Sequence, residues 1–153
     1  MAARAYLAPA DRTPHTVSDK TVAGAYLPCT FVTEGVSTLT QATAVAPMLR
    51  LLINRDYYAA SADFFTATNP LLVAYASGDS GVAAILEPGQ RYLVAVAAAT
   101  YAFGDPLTVG AAGRLTAAGS TAVVVAYALQ AGAKSAGDLI EVEIANFYRL
   151  ALT

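Results

Sequence analysis

Charged residues are scarce in this chain. Asp, Glu, Lys and Arg make up 13% of its 153 residues, about half the share of roughly 25% found in ordinary soluble domains. The lone Cys29 excludes an intramolecular disulfide, and the lone His15 excludes the usual His/Cys zinc sets. Only two lysines, Lys20 and Lys134, stand beside seven arginines, the formal net charge is −2, and no Lys/Arg cluster appears. An electrostatic nucleic-acid binder needs such a footprint, so nucleic acid is not an expected partner. No Gly-x-Gly-x-x-Gly or Gly-Lys-Ser/Thr loop is present, because Gly110, Gly113 and Gly119 have the wrong spacing and no helix follows them. No cofactor is therefore expected.

A chain with so few charges is either a membrane protein or one whose surface is largely covered by partners. The longest uncharged run, the nineteen residues Leu115 to Ala133, is long enough to span a bilayer. It nevertheless holds Gly119, Ser120, Thr121, Gln130 and Gly132, and much of the rest is alanine, so a membrane is not expected either. The first twelve residues contain no apolar stretch of signal-peptide length, which predicts synthesis and residence in a reducing cytoplasm until assembly.

What is present is a two-residue apolar period. Residues 1–30 stand apart as a lead-in, punctuated by Pro9, Pro14 and Pro28, in which no apolar period can be drawn. An extended arm and a short terminal strand with loops fit it equally, and His15 reads as a solvated loop residue. From 31 to 153 the alternation predicts a β-rich domain. Val73 and Tyr75 alternate with Leu72 and Ala74, and the Gly78-Asp79-Ser80-Gly81 turn then leads to Val82–Leu86, which predicts a hairpin. After the Glu87-Pro88-Gly89-Gln90 turn, Arg91–Ala99 has two apolar faces and should be buried on both. Leu107–Val109 and Arg114–Thr116 flank the Gly110–Gly113 turn. Thr121–Gln130 carries Val123, Val125, Tyr127 and Leu129 on one face and the small Ala122, Val124, Ala126 and Ala128 on the other, which suits a subunit interface or a tight layer contact. In Leu139–Ala145 the residues Ile140, Val142 and Ile144 oppose Glu141 and Glu143, as in a half-exposed strand. A short helix is admitted only within Ala42–Ala62, where a strand followed by a loop fits as well. The class is mainly β: a small antiparallel barrel or sandwich, with an extended N-terminal arm and at most one short helix.

The search for chemistry yields structural readings. Gly78-Asp79-Ser80-Gly81 is similar to the tetrapeptide around a serine-protease nucleophile, but the only histidine lies in the lead-in and the chain is too short for two protease barrels. Asp56, Asp63, Asp79, Asp105 and Asp138 could act as acid and base or hold a hard cation. Asp105 and Asp138, however, each follow a glycine just before a strand, where a carboxylate accepts turn amide hydrogens. The Tyr57-Tyr58 and Phe64-Phe65 pairs could stack bases or sugars, but only Arg50 and Arg55 lie near them in sequence, and core or subunit packing is the preferred role. No catalytic residue and no enzyme activity are expected.

One stretch carries a family resemblance. Gly104-Asp105-Pro106-Leu107-Thr108-Val109, then Gly113-Arg114-Leu115-Thr116, the small-residue strand Ala122–Leu129 and the closing Ala136-Gly137-Asp138-Leu139-Ile140-Glu141-Val142 resemble the head decoration, or capsid cement, proteins of tailed bacteriophages. The resemblance covers roughly Pro88 to Asn146. It implies a β-tulip-like domain that forms a homotrimer, binds the major capsid protein on the outer surface of the virion, and stabilises the expanded shell by bridging capsid subunits. Tyr6, Leu7, Tyr26 and Leu27 in the lead-in, with Ala122, Val124, Ala126 and Ala128, are the candidate interface residues. A tail or fibre-associated virion domain, or a small ligand-binding barrel, are the alternatives.

Overall fold

The computed structural model describes residues 4–55 and 69–149, with the backbone alone over 147–149. Fourteen strands run along the chain: β1 (Tyr6–Ala8), β2 (Thr16–Val17), β3 (Thr21–Val22), β4 (Thr30–Glu34), β5 (Thr38–Gln41), β6 (Leu49–Leu52), β7 (Ala83–Ile85), β8 (Arg91–Ala95), β9 (Ala99–Tyr101), β10 (Pro106–Val109), β11 (Leu115–Ala117), β12 (Val123–Ala128), β13 (Gly132–Lys134) and β14 (Leu139–Arg149). Two single 3-10 turns, Pro70–Leu72 and Ala111–Gly113, complete the described elements. The protein is mainly β, as its alternation predicts.

The strands form two six-stranded sheets and a two-stranded ribbon. The first sheet has the order β1-β8-β14-β12-β10-β11. It curls until its far edge returns to the start: Val96, just past β8, bridges Leu115 in β11, and Ala97 N–H donates to Leu115 O at 2.8 Å. The second sheet has the order β2-β7-β6-β4-β5-β3, antiparallel except for the β3–β5 pair. It curls as well, because Thr21 in β3 bridges Ser80, ahead of β7, and Val22 N–H donates to Asp79 O at 2.8 Å. Each curl brings one edge strand, β11 or β3, back towards its own sheet, which leaves that edge less open to foreign strands.

Strand alternation divides the second sheet between two cores. Phe31, Leu49, Leu51 and Ala84 face the main core, which they share with Tyr92, Val94, Leu107, Leu115, Ile140 and Val142 of the first sheet. Val32, Leu52 and Ala83 face the other way into a smaller core with Val22, Leu39 and Tyr75. The Tyr75 hydroxyl, carried inside, donates to Ile53 O at 2.7 Å, so its polar end is satisfied.

Single residues stitch the sheets together. Cys29, fully buried at φ +64°, donates its N–H to Leu52 O in the second sheet at 2.7 Å and accepts from Ala95 N in the first at 2.8 Å. Gly113, at φ +64°, donates to Ala42 O at 2.8 Å, and a Cβ there would lie 2.4 Å from Phe31 O. Only glycine permits that approach. Burial without a charged partner pushes the Cys29 thiol up to about 12.

The lead-in belongs to this body rather than forming a free arm. β1 pairs with β8, β2 with β7 and β3 with β5, and Ala5 is fully buried. The expected hairpin over 72–86 is not formed. Only Ala83–Ile85 becomes a strand, between β6 and β2, while Tyr75 N–H turns back to Tyr26 O at 2.9 Å. Alternation marks a strand but does not name its partner. Of the admitted helix over 42–62, residues 49–52 are a strand, because Pro47 and the positive φ of Met48 (+58°) break a helical path, and Leu49 and Leu51 face the main core while Leu52 faces the smaller one. Its residues 56–62, and with them Asp56, Asp63 and the Tyr57-Tyr58 and Phe64-Phe65 pairs, lie within 56–68, outside the described residues.

Candidate contact surface

Three of the aspartates that could have done chemistry, Asp79, Asp105 and Asp138, build turns. In Ala76-Ser77-Gly78-Asp79, Ala102-Phe103-Gly104-Asp105 and Ser135-Ala136-Gly137-Asp138 the glycine has φ of +89°, +87° and +94°. In each, the carboxylate of the last residue accepts from the backbone N–H of the first, at 2.7, 2.7 and 2.8 Å. The N–H of that last residue in turn donates to the carbonyl of the first, at 3.1, 3.2 and 3.1 Å. Glu87-Pro88-Gly89-Gln90 is the same device with an amide in place of the acid: Gly89 has φ +85° and Gln90 Oε1 accepts from Glu87 N at 3.0 Å. The positive φ demands glycine, and a short acceptor three residues after the turn's first N–H satisfies that donor. The repeated Gly-Asp is therefore a folding signal. Asp79 also receives Arg55, whose guanidinium lies 4.3 Å from the Tyr75 ring centre. The Ala76 N–H bond first, and Arg55 with it, hold the Asp79 carboxyl below its ordinary range.

Ser80 lies in the bridge opposite Thr21, while the His15 ring faces Glu87 Oε1 at 3.1 Å, so the structure does not join them into a nucleophile and base. Among the described residues no group of three His, Cys, Asp or Glu could hold a metal ion. No helix among them is long and apolar enough to cross a membrane, and the uncharged run 115–133 is spent on β11, β12 and the start of β13.

The eight candidate interface residues separate into two groups. Val124, Ala126 and Ala128 have no exposed surface. Ala126 and Ala128, with Val125 across a register shift in the strand, lie in the chain's own main core as a tight layer contact. Ala122 is half-buried at the strand's entrance. Tyr6 meets the Tyr92 ring edge to face at 5.3 Å and donates to Pro9 O at 2.7 Å. Leu7, its neighbour on β1, is 37% exposed, and Leu27 is 42% exposed, whereas Tyr26 packs half-buried on the smaller core.

Sequence reasoning missed the most exposed apolar side chains. Val36 is 96% exposed at the β4–β5 tip, Phe103 73% exposed at the tip of an Ala-Phe-Gly-Asp turn, Leu72 64% and Met48 52%. An apolar residue at the tip of a recognisable turn is the signal that would have found Phe103. The neighbouring segments Ala97–Gly104, Ala117–Ala122 and Leu129–Ala133 contain no Asp, Glu, Lys or Arg, although Asp105 and Lys134 border them. Parts of these segments are drawn together by the Gly132–Tyr101 pairing, Gly104 N–H to Ala128 O at 2.7 Å and Ala118 N–H to Pro106 O at 2.9 Å. The charges of this sheet stand instead on its outer face, where Arg91 lies 3.3 Å from Glu143 and 3.8 Å from Glu141.

No family model matches the chain, and no curated protein does. Among solved structures the fold is similar to the N base of the head fiber gp8.5 of bacteriophage phi29, with a TM-score of 0.55 and 14% identity, over 92% of this chain and 98% of that one.

Proposed function

We propose that the protein is a structural component of a tailed-phage virion, carried on the head, with a contact role and no catalysis. The observation that carries this reading is the fold likeness to a phage head-fiber base across nearly the whole length of both chains. The resemblance of residues 88–146 to capsid decoration proteins arises separately from sequence and points to the same class of particle. The scarcity of charge supports it physically, since a subunit whose surface is covered by partners needs few solvated side chains.

In finer detail, the protein binds the major capsid protein on the outer surface of the head as a homotrimer and ties neighbouring capsid subunits together. Each bound copy then stabilises the shell by mass action, and repeated contacts add avidity. The exposed Phe103 turn tip, with Leu7 and Leu27, supplies the apolar contact area. The test combines light scattering of the isolated protein with cryo-electron microscopy of heads incubated with it. Trimeric density on the outer shell supports the reading. A monomeric footprint, or no binding to heads, sinks it.

A second reading has its own support, because the similar structure is a fiber base rather than a cement. In that case the protein binds the head without strengthening it. Heating heads with and without bound protein separates the two: a cement raises the temperature of DNA release, and a fiber base leaves it unchanged.

A further inference from the structure

We propose that the groove between the β1–β2 loop and the turn ahead of β8 binds a neutral saccharide. Pro9, Asp11 and Arg12 line one side, the Glu87–Gln90 turn lines the other, and the space between measures about 400 Å³. That is within the range of roughly 300–1,000 Å³ usual for small-molecule sites. The sugar reading stands independently of the virion reading.

Gln90 carries the argument. It is only 6% exposed, and its Oε1 accepts both Glu87 N–H and the Tyr92 hydroxyl, each at 3.0 Å. A backbone N–H can only donate, so the carbonyl oxygen must be the atom facing Glu87. The amide nitrogen, with its two donors, is then left without a protein partner among the described residues. An unpaired buried donor is costly, and a ligand acceptor would relieve that cost. The Asp11 and Arg12 side chains likewise make no hydrogen bond or ion pair among the described residues, though both lie close enough to act on the Tyr6 phenol.

The composition of the groove selects among ligand classes. An anion would meet two carboxylates, Asp11 and Glu87, against the one guanidinium of Arg12. An added peptide strand would need backbone donors, which Pro9 and Pro88 lack. A sugar hydroxyl both donates and accepts, so vicinal hydroxyls can engage a planar carboxylate, guanidinium or amide through two parallel bonds. The two proline rings offer apolar surface to the C–H face of a pyranose.

The experiment is an amide chemical-shift titration of the full, isotope-labelled chain with maltose, cellobiose and diacetylchitobiose, with acetate and trialanine as parallel arms. The expected result is saturating shifts of the Gln90 side-chain amide and of the backbone at Asp11, Arg12 and Gly89 with at least one sugar, at a Kd on the order of 1 mM. Arg12→Ala and Asp11→Asn change exposed side chains and should each weaken binding about tenfold. No saturating shift with any sugar, saturation by acetate or trialanine instead, or unchanged affinity in both variants would overturn the assignment.

Discussion

The two sheets are built differently. The first takes five of its six strands, β8, β10, β11, β12 and β14, from the continuous stretch 91–149, and adds β1 from far upstream. The second gathers strands of two to five residues from 16–52, inserts β7 across a long interval, and closes through Ser80. In the first, turns that can be recognised from Gly-Asp pairs join strands long enough to show their period. In the second, the strands are too short for a period to declare itself, and each depends on partners remote in sequence. The comparison teaches that the short central strands are stable here because two cores share them: β4, β6 and β7 each bury apolar side chains on both faces.

The largest expected effect falls on the seam that makes the sheets one body. Gly113→Val would place a branched side chain against the β4 backbone at a positive φ, and should destabilise on the order of 4 kcal/mol or more. Chemical denaturation would measure it, and a loss below 1 kcal/mol would show that the sheets are not tightly coupled there. Deleting residues 1–20 probes the same coupling from the other side. It removes β1, β2 and buried Ala5, so an unfolded or aggregating product is expected rather than a trimmed domain. A cooperatively melting product would return the lead-in to the status of an arm.

Ala126→Leu tests whether the small face of β12 is interior. Inserting the larger side chain where no surface is exposed should cost about 1–3 kcal/mol in the isolated protein, before any partner is present. An unchanged melting temperature together with altered oligomerisation would move that face to an interface.

The turns should show smaller losses. Asp105→Ala and Asp138→Ala each remove an acceptor from a turn N–H and should cost about 1 kcal/mol. Asp79 adds a pH dependence. Its folded carboxyl titrates below the unfolded value of about 3.9, so its stabilisation is complete above that value and is lost as pH falls toward the folded one. Acid unfolding of Asp79→Asn should accordingly be less steep below about pH 4 than that of the parent. The smallest effect is expected for Glu141→Lys on the outer face of β14. It breaks only a 3.8 Å contact with Arg91 and should stay within about 0.5 kcal/mol.

Much of the first sheet was legible in advance. The burial of Ile140, Val142 and Ile144 against the half-exposed Glu141 and Glu143 follows from alternation alone. The turn role of Asp105 and Asp138 follows from a glycine before and a strand after. The second sheet was not legible, because nothing near β7 states that its neighbours are β6 and β2. The candidate surface was legible in part. Leu7 and Leu27 are exposed, but a run of small residues looks the same whether another layer of the chain or another subunit lies against it.

Sequence by itself determined the β class, the positions of the turns, the lack of the usual zinc and disulfide chemistry, and the inward and outward faces of the closing strand. Each is a local property, set by steric limits on φ and by the two-residue period of a strand. Only the tertiary structure decided which strands pair, that the small face of β12 turns inward, that Cys29 and Gly113 hold the sheets together, and that Gln90 lies beneath a groove with its amide unpaired. Those depend on contacts between residues tens of positions apart. Closing such loops costs an entropy that grows only slowly with their length, so local pattern carries little information about which distant partner is chosen.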